Sequence, residues 1–253
     1  MSDGQHDPLS HDGSAEIGVL VCHGFTGSPR SMRPWAQHLV EQGWTVRLPL
    51  LPGHGTTWQE ANTTTWQDWY GCVDAAFAEL RGRCERVFVV GLSMGGALTL
   101  RLAEQHGSAI SGIVLVNPIV AMLQAQTRLL PVLSRFVASM PAIGNDIALP
   151  GVQEGAYERT PLRAAASLRS FLRLVRADLP KVDQPLRLFH STQDHVVEPE
   201  NSAIILREVN STDVAEIVLA DSYHVATLDY DAERIFTGSV EFIKQVGEQA
   251  AAR

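Results

Sequence analysis

A serine between two glycines is the residue of this chain whose surroundings most strongly indicate nucleophilic chemistry. Residues 91–95 read Gly-Leu-Ser-Met-Gly and place Ser93 at the centre. The apolar, β-branched run at 86–90 predicts a buried strand, and residues 96–106 carry apolar side chains at helical spacing. A G-x-S-x-G turn between a strand and a helix is typical of a nucleophile elbow, where glycines let neighbouring backbone approach closely. Ser93 is therefore the predicted nucleophile, although such short motifs also occur by chance.

A base and an acid for this serine follow two further predicted strands. A serine hydroxyl is a poor nucleophile at neutral pH, so a histidine must take its proton and a carboxylate must orient that histidine. Asp194 comes just after the strand-like run 186–190, and His224 comes just after the run 214–219. Sites in open α/β sheets form outside the carboxyl ends of the strands. We therefore predict a catalytic triad of Ser93, Asp194 and His224, with His224 as the base.

Other residues could take part in this chemistry, but their positions favour different roles. His23 and His54 lie in glycine-rich loops and are interpreted as hydrogen-bonding residues that shape those loops. Asp221 is the main rival to Asp194, but it lies on the loop of the histidine itself. The sequence has no H-E-x-x-H, C-x-x-C or G-x-G-x-x-G pattern. No metal and no cofactor are therefore predicted.

The elements that must position these residues alternate between strand and helix. The predicted strands cover 17–22, 44–50, 86–90, 112–117, 186–190 and 214–219. The predicted helices cover 31–42, 65–81, 94–106, 199–208 and 231–247. Such alternation predicts an α/β fold with a mostly parallel central sheet and helices on both faces. We expect a flexible polar tail at 1–16 and a single domain at 17–253.

The alternation is interrupted at residues 119–180, a segment that we call the cap. It is too long for an ordinary connection and shows no clear strand, which predicts an insertion over the strand ends. Apolar residues recur in it at roughly helical spacing, and they could pack a helix on the body of the protein. They could also form a lid that lines an acyl pocket or touches a lipid surface. These residues are Leu129, Leu130, Val132, Leu133, Phe136, Val137 and Met140.

Composition and charge limit the classes of partner. The 253 residues carry a net charge of −8, which argues against nucleic acid because phosphate binding needs a basic face. Three cysteines give no even-numbered disulfide framework, which suits a reducing compartment. No signal peptide is recognised in residues 1–16, and no apolar run approaches the ~20 residues that span a bilayer. The predicted location is cytoplasmic, with peripheral contact to lipid surfaces through the cap, and the oligomeric state stays open.

A loop near the start completes a set of motifs that resembles a known family. Residues 23–29 read His-Gly-Phe-Thr-Gly-Ser-Pro and follow the first predicted strand, where hydrolases of this kind place an oxyanion-hole loop. The other resembling stretches lie at 31–34, 53–56, 91–96, 156–161, 194–197 and 222–231. Together they resemble the α/β-hydrolase superfamily and, within it, bacterial monoacylglycerol lipases and the neighbouring thermostable carboxylesterases. Tyr223 favours the lipase branch, because the carboxylesterases usually carry glycine there.

The resemblance implies an enzyme that hydrolyses monoacylglycerols to glycerol and free fatty acid through an acyl-enzyme. It implies that the backbone N–H groups of Phe25 and Met94 form the oxyanion hole, and Met94 directly follows the nucleophile as such a hole requires. It also implies that Glu154 binds the glycerol head and that Ile143 lines the pocket; the alternative for Glu154 is a solvated charge of the cap. Two alternatives stay open: a short- or medium-chain carboxylesterase without glycerol preference, and a non-catalytic hydrolase-fold protein that binds a lipid.

Overall fold

The computed structural model of the chain describes residues 4, 6–142 and 144–251, and a central sheet dominates it. The strands of the described residues are β1 (Leu9–His11), β2 (Ser14–Cys22), β3 (Trp44–Leu48), β4 (Arg86–Leu92), β5 (Gly112–Val116), β6 (Ser139–Pro141), β7 (Arg159–Pro161), β8 (Leu186–Ser191) and β9 (Val214–Leu219). Seven of them form one sheet in the order β1-β3-β2-β4-β5-β8-β9, in which β1 is antiparallel to β3 and the other pairs are parallel. The predicted mostly parallel sheet is confirmed.

Helices cover both faces of this sheet. The α-helices of the described residues are α1 (Pro29–Glu41), α2 (Trp58–Ala61), α3 (Trp66–Arg81), α4 (Met94–His106), α5 (Leu130–Leu133), α6 (Leu162–Asp178), α7 (Glu200–Glu208) and α8 (Ala232–Ala251). Of the described helices, none is both long and apolar enough to cross a bilayer.

Alternate residues of the central strands face two different apolar cores. In β4, Val87 and Val89 belong to one core, whereas Phe88 and Val90 belong to the other. This division follows from the pleat, since successive side chains of a strand point to opposite faces of the sheet. Helices α3, α4, α6 and α7 complete the first core, and α1 and α8 complete the second. Each fully buried side chain of this size contributes about 1.5–3 kcal/mol, so the two cores stabilise the strands on both faces of the sheet.

The start of the chain differs from the prediction of a flexible tail over 1–16. Residues Leu9–His11 form β1 at the edge of the sheet, with Leu9 opposite Leu48, and β2 begins at Ser14. The prediction is therefore wrong for residues 9–16, while residues 1–3 and 5 lie outside the described part. Pairing here depends on backbone and charge, because Arg47 donates hydrogen bonds to the carbonyl of His11 at 2.9 Å and to Asp12 at 2.5 Å. A polar edge strand of this kind lacks the apolar run that predicts a strand from sequence.

The cap lies between β5 and β8 and contains more regular structure than expected. Its strands β6 and β7 pair with each other in antiparallel fashion, and α6 was not predicted. The apolar stretch forms only a 3-10 turn (Ala125–Leu129) and the four-residue α5, with Pro131 in its first turn. Phe136 is 83% exposed and Leu129 is 65% exposed, so the interpretation of a helix packed on the body is wrong for this stretch. Instead α6 supplies that packing, since Phe171 and Leu172 are buried in the first core.

Candidate active site

The turn between β4 and α4 holds Ser93 in a conformation that side chains rarely adopt. Its φ is 57° and its ψ is −119°, a strain that costs a residue other than glycine about 1–3 kcal/mol. The surrounding backbone maintains it, because the N–H of Ser93 donates to the carbonyl of Val116 at 3.0 Å. A Cβ at Gly95 would lie 2.0 Å from the carbonyl oxygen of Cys22, so only glycine fits two residues after the serine. The local sequence thus builds a tight elbow that presents Ser93 at the end of the central strand.

Asp194 and His224 come from different loops and form a buried pair. Nδ1 of His224 lies 2.8 Å from Oδ2 of Asp194, and their side chains are 9% and 4% exposed. The other oxygen of Asp194 accepts the backbone N–H groups of Val196 and Val197 at 2.9 and 2.8 Å. Because a carboxylate only accepts, the pair fixes the proton of a neutral imidazole on Nδ1. The lone pair of Nε2 is then the basic position of His224.

Nearby carboxylates shift the pKa of His224 upwards. Burial lowers the pKa of this imidazole, but the hydrogen bond and charge of Asp194, together with the charges of Glu154 and Asp146, outweigh burial and leave the pKa raised. The site therefore stabilises the protonated imidazole that forms when a histidine accepts a proton from serine.

A cavity of about 670 Å³ extends from Ser93 and His224 to the cap. Ser93, His224, Phe25, Met94 and Glu154 all line it. Most of the remaining lining is apolar and includes Ile119, Met122, Leu130, Leu133, Leu162 and Leu168. A concave, mainly apolar space with a few polar groups at one end is typical of a small-molecule site of this volume. The cap residues of the apolar stretch thus contribute to the cavity wall as well as to the surface.

The loop after β2, which carries Phe25, is held by a buried neutral histidine. Nδ1–H of His23 donates to the carbonyl of Gly24 at 3.0 Å, and its Nε2 accepts the N–H of Leu51 at 3.1 Å. Burial, with the neighbouring His54, lowers the pKa of His23 to about 3, and burial lowers the pKa of His54 to about 4. Both side chains therefore stay neutral and shape loops, as the sequence indicated.

Glu154, for which the family resemblance implied contact with the glycerol head, lines the cavity. Its Oε1 accepts the N–H of Asn145 at 2.9 Å, and its own N–H donates to Oδ1 of Asn145 at 2.9 Å. Burial raises the pKa of Glu154, while the Asn145 hydrogen bond and the charge of His224 lower it. Glu154 thus lines the cavity and is held by Asn145, which disfavours the interpretation of a solvated surface charge. Ile143, the other predicted pocket residue, lies outside the described residues.

Two residues that sequence reasoning missed hold the histidine loop in place. Nδ2 of Asn117 donates to the carbonyl of His224 at 2.8 Å, and its Oδ1 accepts the N–H of Ser191 at 2.7 Å. The buried carboxylate of Asp229 accepts the N–H of Tyr223 at 2.9 Å. Asn117 directly follows β5, so its place at a strand's carboxyl end could have marked it. Asp229 carries no comparable signal.

The sheet order, the elbow after its central strand and the two loop residues after β8 and β9 define the chain as an α/β-hydrolase. Comparison with known proteins agrees with this class. Residues 13–231 match the profile of the family described as "Serine aminopeptidase, S33" (Hydrolase_4), and the chain belongs to this family.

Several relatives and solved structures resemble the chain over almost its full length. It is 43% identical over 231 residues to the thermostable monoacylglycerol lipase of Bacillus sp. (strain H-257), covering 89% of this chain and 90% of the relative. It is 27% identical over 229 residues to a carboxylesterase of Bacillus subtilis (strain 168), covering 90% and 92%. The resemblance read from the motifs is thereby confirmed.

Two solved structures also share the fold of this chain. One, reported with the metagenome-derived lipolytic enzymes LipS and LipT, superposes with a TM-score of 0.92 at 41% identity and covers 95% of this chain and 98% of its own. The monoacylglycerol lipase of Paleococcus ferrophilus superposes with a TM-score of 0.79 at 18% identity, covering 94% and 98%, and supports the fold.

Proposed function

We propose that the protein is a carboxylic ester hydrolase that cleaves monoacylglycerols to glycerol and free fatty acid. The observation that carries the proposal is the 2.8 Å contact between His224 and Asp194 at the wall of an apolar cavity that Ser93 also lines. The 43% identity with a thermostable monoacylglycerol lipase supports the choice of substrate.

The reaction follows from the chemistry of these side chains. Oγ of Ser93 attacks the ester carbonyl while Nε2 of His224 takes the hydroxyl proton, and Asp194 stabilises the imidazolium. Collapse of the tetrahedral intermediate breaks the bond to the glycerol oxygen, which leaves with the proton from His224. Water then attacks the acyl-enzyme with His224 again as base, and fatty acid and free Ser93 result. The reaction consumes one water and needs no cofactor.

The oxyanion hole is assigned to the backbone N–H groups of Phe25 and Met94. Both residues line the cavity beside Ser93, and Met94 is the first residue of α4, directly after the elbow. Donors placed there would meet the negative charge that develops on the carbonyl oxygen. Loss of one such donor typically lowers kcat by roughly 10²–10³.

The two parts of a monoacylglycerol match the two parts of the cavity. The apolar wall suits a single acyl chain, whereas Glu154 provides a carboxylate that accepts hydrogen bonds from the glycerol hydroxyls. Glu154 and His224 line the same cavity, and the charge of Glu154 helps to raise the pKa of His224, which supports a headgroup site on this side of the cavity. Recognition of the head would separate this enzyme from a general carboxylesterase.

The cap surface is assigned to transient contact with lipid. Phe136, Leu129 and Val132 are 83%, 65% and 58% exposed on neighbouring turns, which is unusual for side chains of this size. Arg128 and Arg135 are exposed beside them. An exposed apolar group with flanking cations is typical of segments that enter a membrane interface. Such contact would bring the cavity to the phase in which monoacylglycerols reside.

A cytoplasmic location is proposed from the chemistry of the cysteines. Cys22, Cys72 and Cys84 are all free thiols, and burial raises the pKa of Cys22 to about 12. Free thiols that persist unpaired suit a reducing compartment. Cell fractionation tests this proposal, and recovery of the protein only outside the cytoplasm would contradict it.

The decisive experiment compares esters that share one acid. We would measure kcat/KM for a medium-chain monoacylglycerol, the matching di- and triacylglycerols and the methyl ester, with Ser93→Ala as control. We expect the highest value for the monoacylglycerol and no turnover by the variant. Equal kcat/KM for the methyl ester and the monoacylglycerol would indicate a general carboxylesterase without glycerol preference. Substantial activity of Ser93→Ala, or no labelling of wild-type Ser93 by a fluorophosphonate, would refute the mechanism.

A further inference from the structure

A carboxylate of the cap reaches the backbone of the predicted base. Oδ2 of Asp146 accepts the N–H of His224 at 3.1 Å and the N–H of His195 at 3.1 Å. Its Oδ1 lies 2.8 Å from Nδ1 of His195, and its own carbonyl accepts the N–H of Val225 at 3.0 Å. The side chain is 10% exposed and borders the catalytic cavity. One residue of the cap therefore contacts both loops that carry the Asp194–His224 pair.

These contacts join parts of the chain that are far apart in sequence. Asp194 lies on the loop after β8 and His224 on the loop after β9, so their mutual distance depends on how the two loops sit together. Asp146 bonds to the residue directly after Asp194 and to His224 itself. The ring of His195 also packs edge-on against the ring of Tyr223, with centroids 4.6 Å apart. The cap thus closes a ring of contacts around the pair.

The charge of Asp146 acts on the same imidazole. The groups that raise the pKa of His224 are Asp194 from the loop after β8 and Glu154 and Asp146 from the cap, and together they outweigh the effect of burial. Asp146 and Glu154 also repel each other, since the charge of Asp146 contributes to the raised pKa of Glu154. The cap therefore influences the base through its charge as well as through hydrogen bonds.

We propose that Asp146 is a positioning residue for hydrolysis, which couples the seating of the cap to the orientation and protonation of His224. The inference rests on the proposed function, since it concerns the base of that reaction. While the cap segment 144–149 is seated, the carboxylate holds the His224 backbone and favours the imidazolium. When the segment moves away, His224 loses the hydrogen bond from its backbone N–H to Asp146 and the favourable charge of that carboxylate. Hydrolysis is then slower than with the segment in place.

A matched residue allows this role to be separated from simple support of the fold. The carboxylate of Asp229 accepts the N–H groups of Ala148 and Leu149 at 2.7 and 2.9 Å and that of Tyr223 at 2.9 Å. It joins the same cap segment to the same loop, but its hydrogen bonds end one residue before His224. Asp229→Asn therefore weakens the same junction without removing the charge at the imidazole.

The test uses the pH dependence of fluorophosphonate labelling of Ser93 in the full-length protein. The rate constant of labelling reports the base without reference to the natural substrate, and its acid limb reports the pKa of His224. Asp146→Asn is nearly isosteric: its oxygen can still accept the N–H of His224, while its amide donates to Nδ1 of a neutral His195. Asp146→Ala removes the hydrogen bonds as well as the charge.

We expect the acid limb to move to lower pH by a few tenths of a unit to about one unit in both Asp146 variants. Asp146→Ala should also label about tenfold more slowly at the plateau, because the His224 backbone loses its acceptor. Asp229→Asn should show a smaller shift of the limb than Asp146→Asn, even where its thermal stability is lower. Kcat for the monoacylglycerol should fall in parallel with the labelling rate, with little change of KM.

Three results would overturn the proposal. An unmoved acid limb in Asp146→Asn would exclude the effect of charge. If Asp146→Asn and Asp229→Asn showed the same shift of the acid limb and the same loss of labelling rate, Asp146 would only support the fold. Both results presuppose labelling of the wild-type serine; absence of that labelling would instead refute the proposed function and the inference with it. Because Asp146→Asn preserves the hydrogen-bond positions, it decides the question even where Asp146→Ala folds poorly.

Discussion

Asp194→Asn should abolish most activity by moving one proton, without changing the shape of the site. In the native site, Oδ1 of Asp194 accepts the N–H groups of Val196 and Val197, while Oδ2 accepts Nδ1–H of His224. An asparagine side chain has one acceptor oxygen and one donor nitrogen. Because two backbone N–H groups face the Oδ1 position, the oxygen must occupy it, and the NH₂ group then faces His224.

The reversed polarity changes the tautomer of the base. Facing a donor, Nδ1 of His224 must become an acceptor, so the proton of the neutral imidazole moves to Nε2. That nitrogen can no longer take the proton of Ser93. The wrong tautomer lowers kcat by about 10⁴ in serine triads, which corresponds to about 5.5 kcal/mol at 1.36 kcal/mol per tenfold change. We expect KM and thermal stability to change little, because the side chain keeps its volume and its backbone hydrogen bonds.

The assay measures kcat and KM of the wild type, Asp194→Asn and Asp221→Asn on one monoacylglycerol at neutral pH. Asp221 is the matched control, because it is the rival acid on the histidine's own loop and is exposed. We expect Asp221→Asn to behave like the wild type. A kcat of Asp194→Asn above about a tenth of the wild-type value would refute the tautomer argument. Equal losses in both variants would refute the assignment of the acid.

Three further predictions concern the headgroup, the cap surface and acid stability. Glu154→Ala should lower kcat/KM for a monoacylglycerol about tenfold more than for a p-nitrophenyl ester, since the lost hydrogen bonds to glycerol are worth about 1.5 kcal/mol; equal losses would remove Glu154 from the headgroup site. Phe136→Ser should weaken flotation of the protein with lipid vesicles more than it lowers hydrolysis of a soluble ester, and Leu129→Ser should do the same. Unchanged flotation of both variants would contradict lipid contact. His23 and His54 have folded pKa values of about 3 and 4, below that of a free imidazole, so their contribution to stability is complete above about pH 6.5 and is lost as pH falls towards those values. Together the two histidines should lower the free energy of unfolding by about 3–4 kcal/mol between about pH 7 and pH 5, as urea titrations can measure. The His54→Gln variant should lose less unfolding free energy over this range than the wild type. An equal loss in the variant would contradict the prediction.

The order and type of the main elements could be predicted because their signals are local. A run of β-branched residues such as 86–90 satisfies strand geometry by itself, and the G-x-S-x-G pattern around Ser93 lies within five consecutive residues. Asp194 and His224 were recognised because parallel strands bring their carboxyl ends to one edge of a sheet. Chain order and strand ends were thus enough to predict that Asp194 and His224 lie together, and the two side chains are in contact at 2.8 Å.

The cap was predicted as an insertion, but its internal structure was not. Helix α6 (Leu162–Asp178) contains seven buried residues, yet the preceding prolines and the mixed polarity of the segment concealed its period. The apolar stripe before it suggested a helix packed on the body of the protein, whereas only Leu130–Leu133 is α-helical there. Helical propensity within a short segment is weak, and packing on the rest of the protein decides which turns persist.

By itself, the sequence determined the alternating elements, the strand–helix turn at Ser93 and the strand ends that carry the predicted acid, Asp194, and the predicted base, His224. Only the tertiary structure decided that Leu9–His11 extends the sheet, that Asn117 holds the histidine loop and that Asp146 reaches His224 from the cap. The physical reason is the range of the interactions. Periodicity, turns and caps depend on neighbours within a few residues, whereas a single polar side chain has no local pattern that reveals a partner 78 residues away. Its role appears once the folded chain has brought that partner within hydrogen-bond distance.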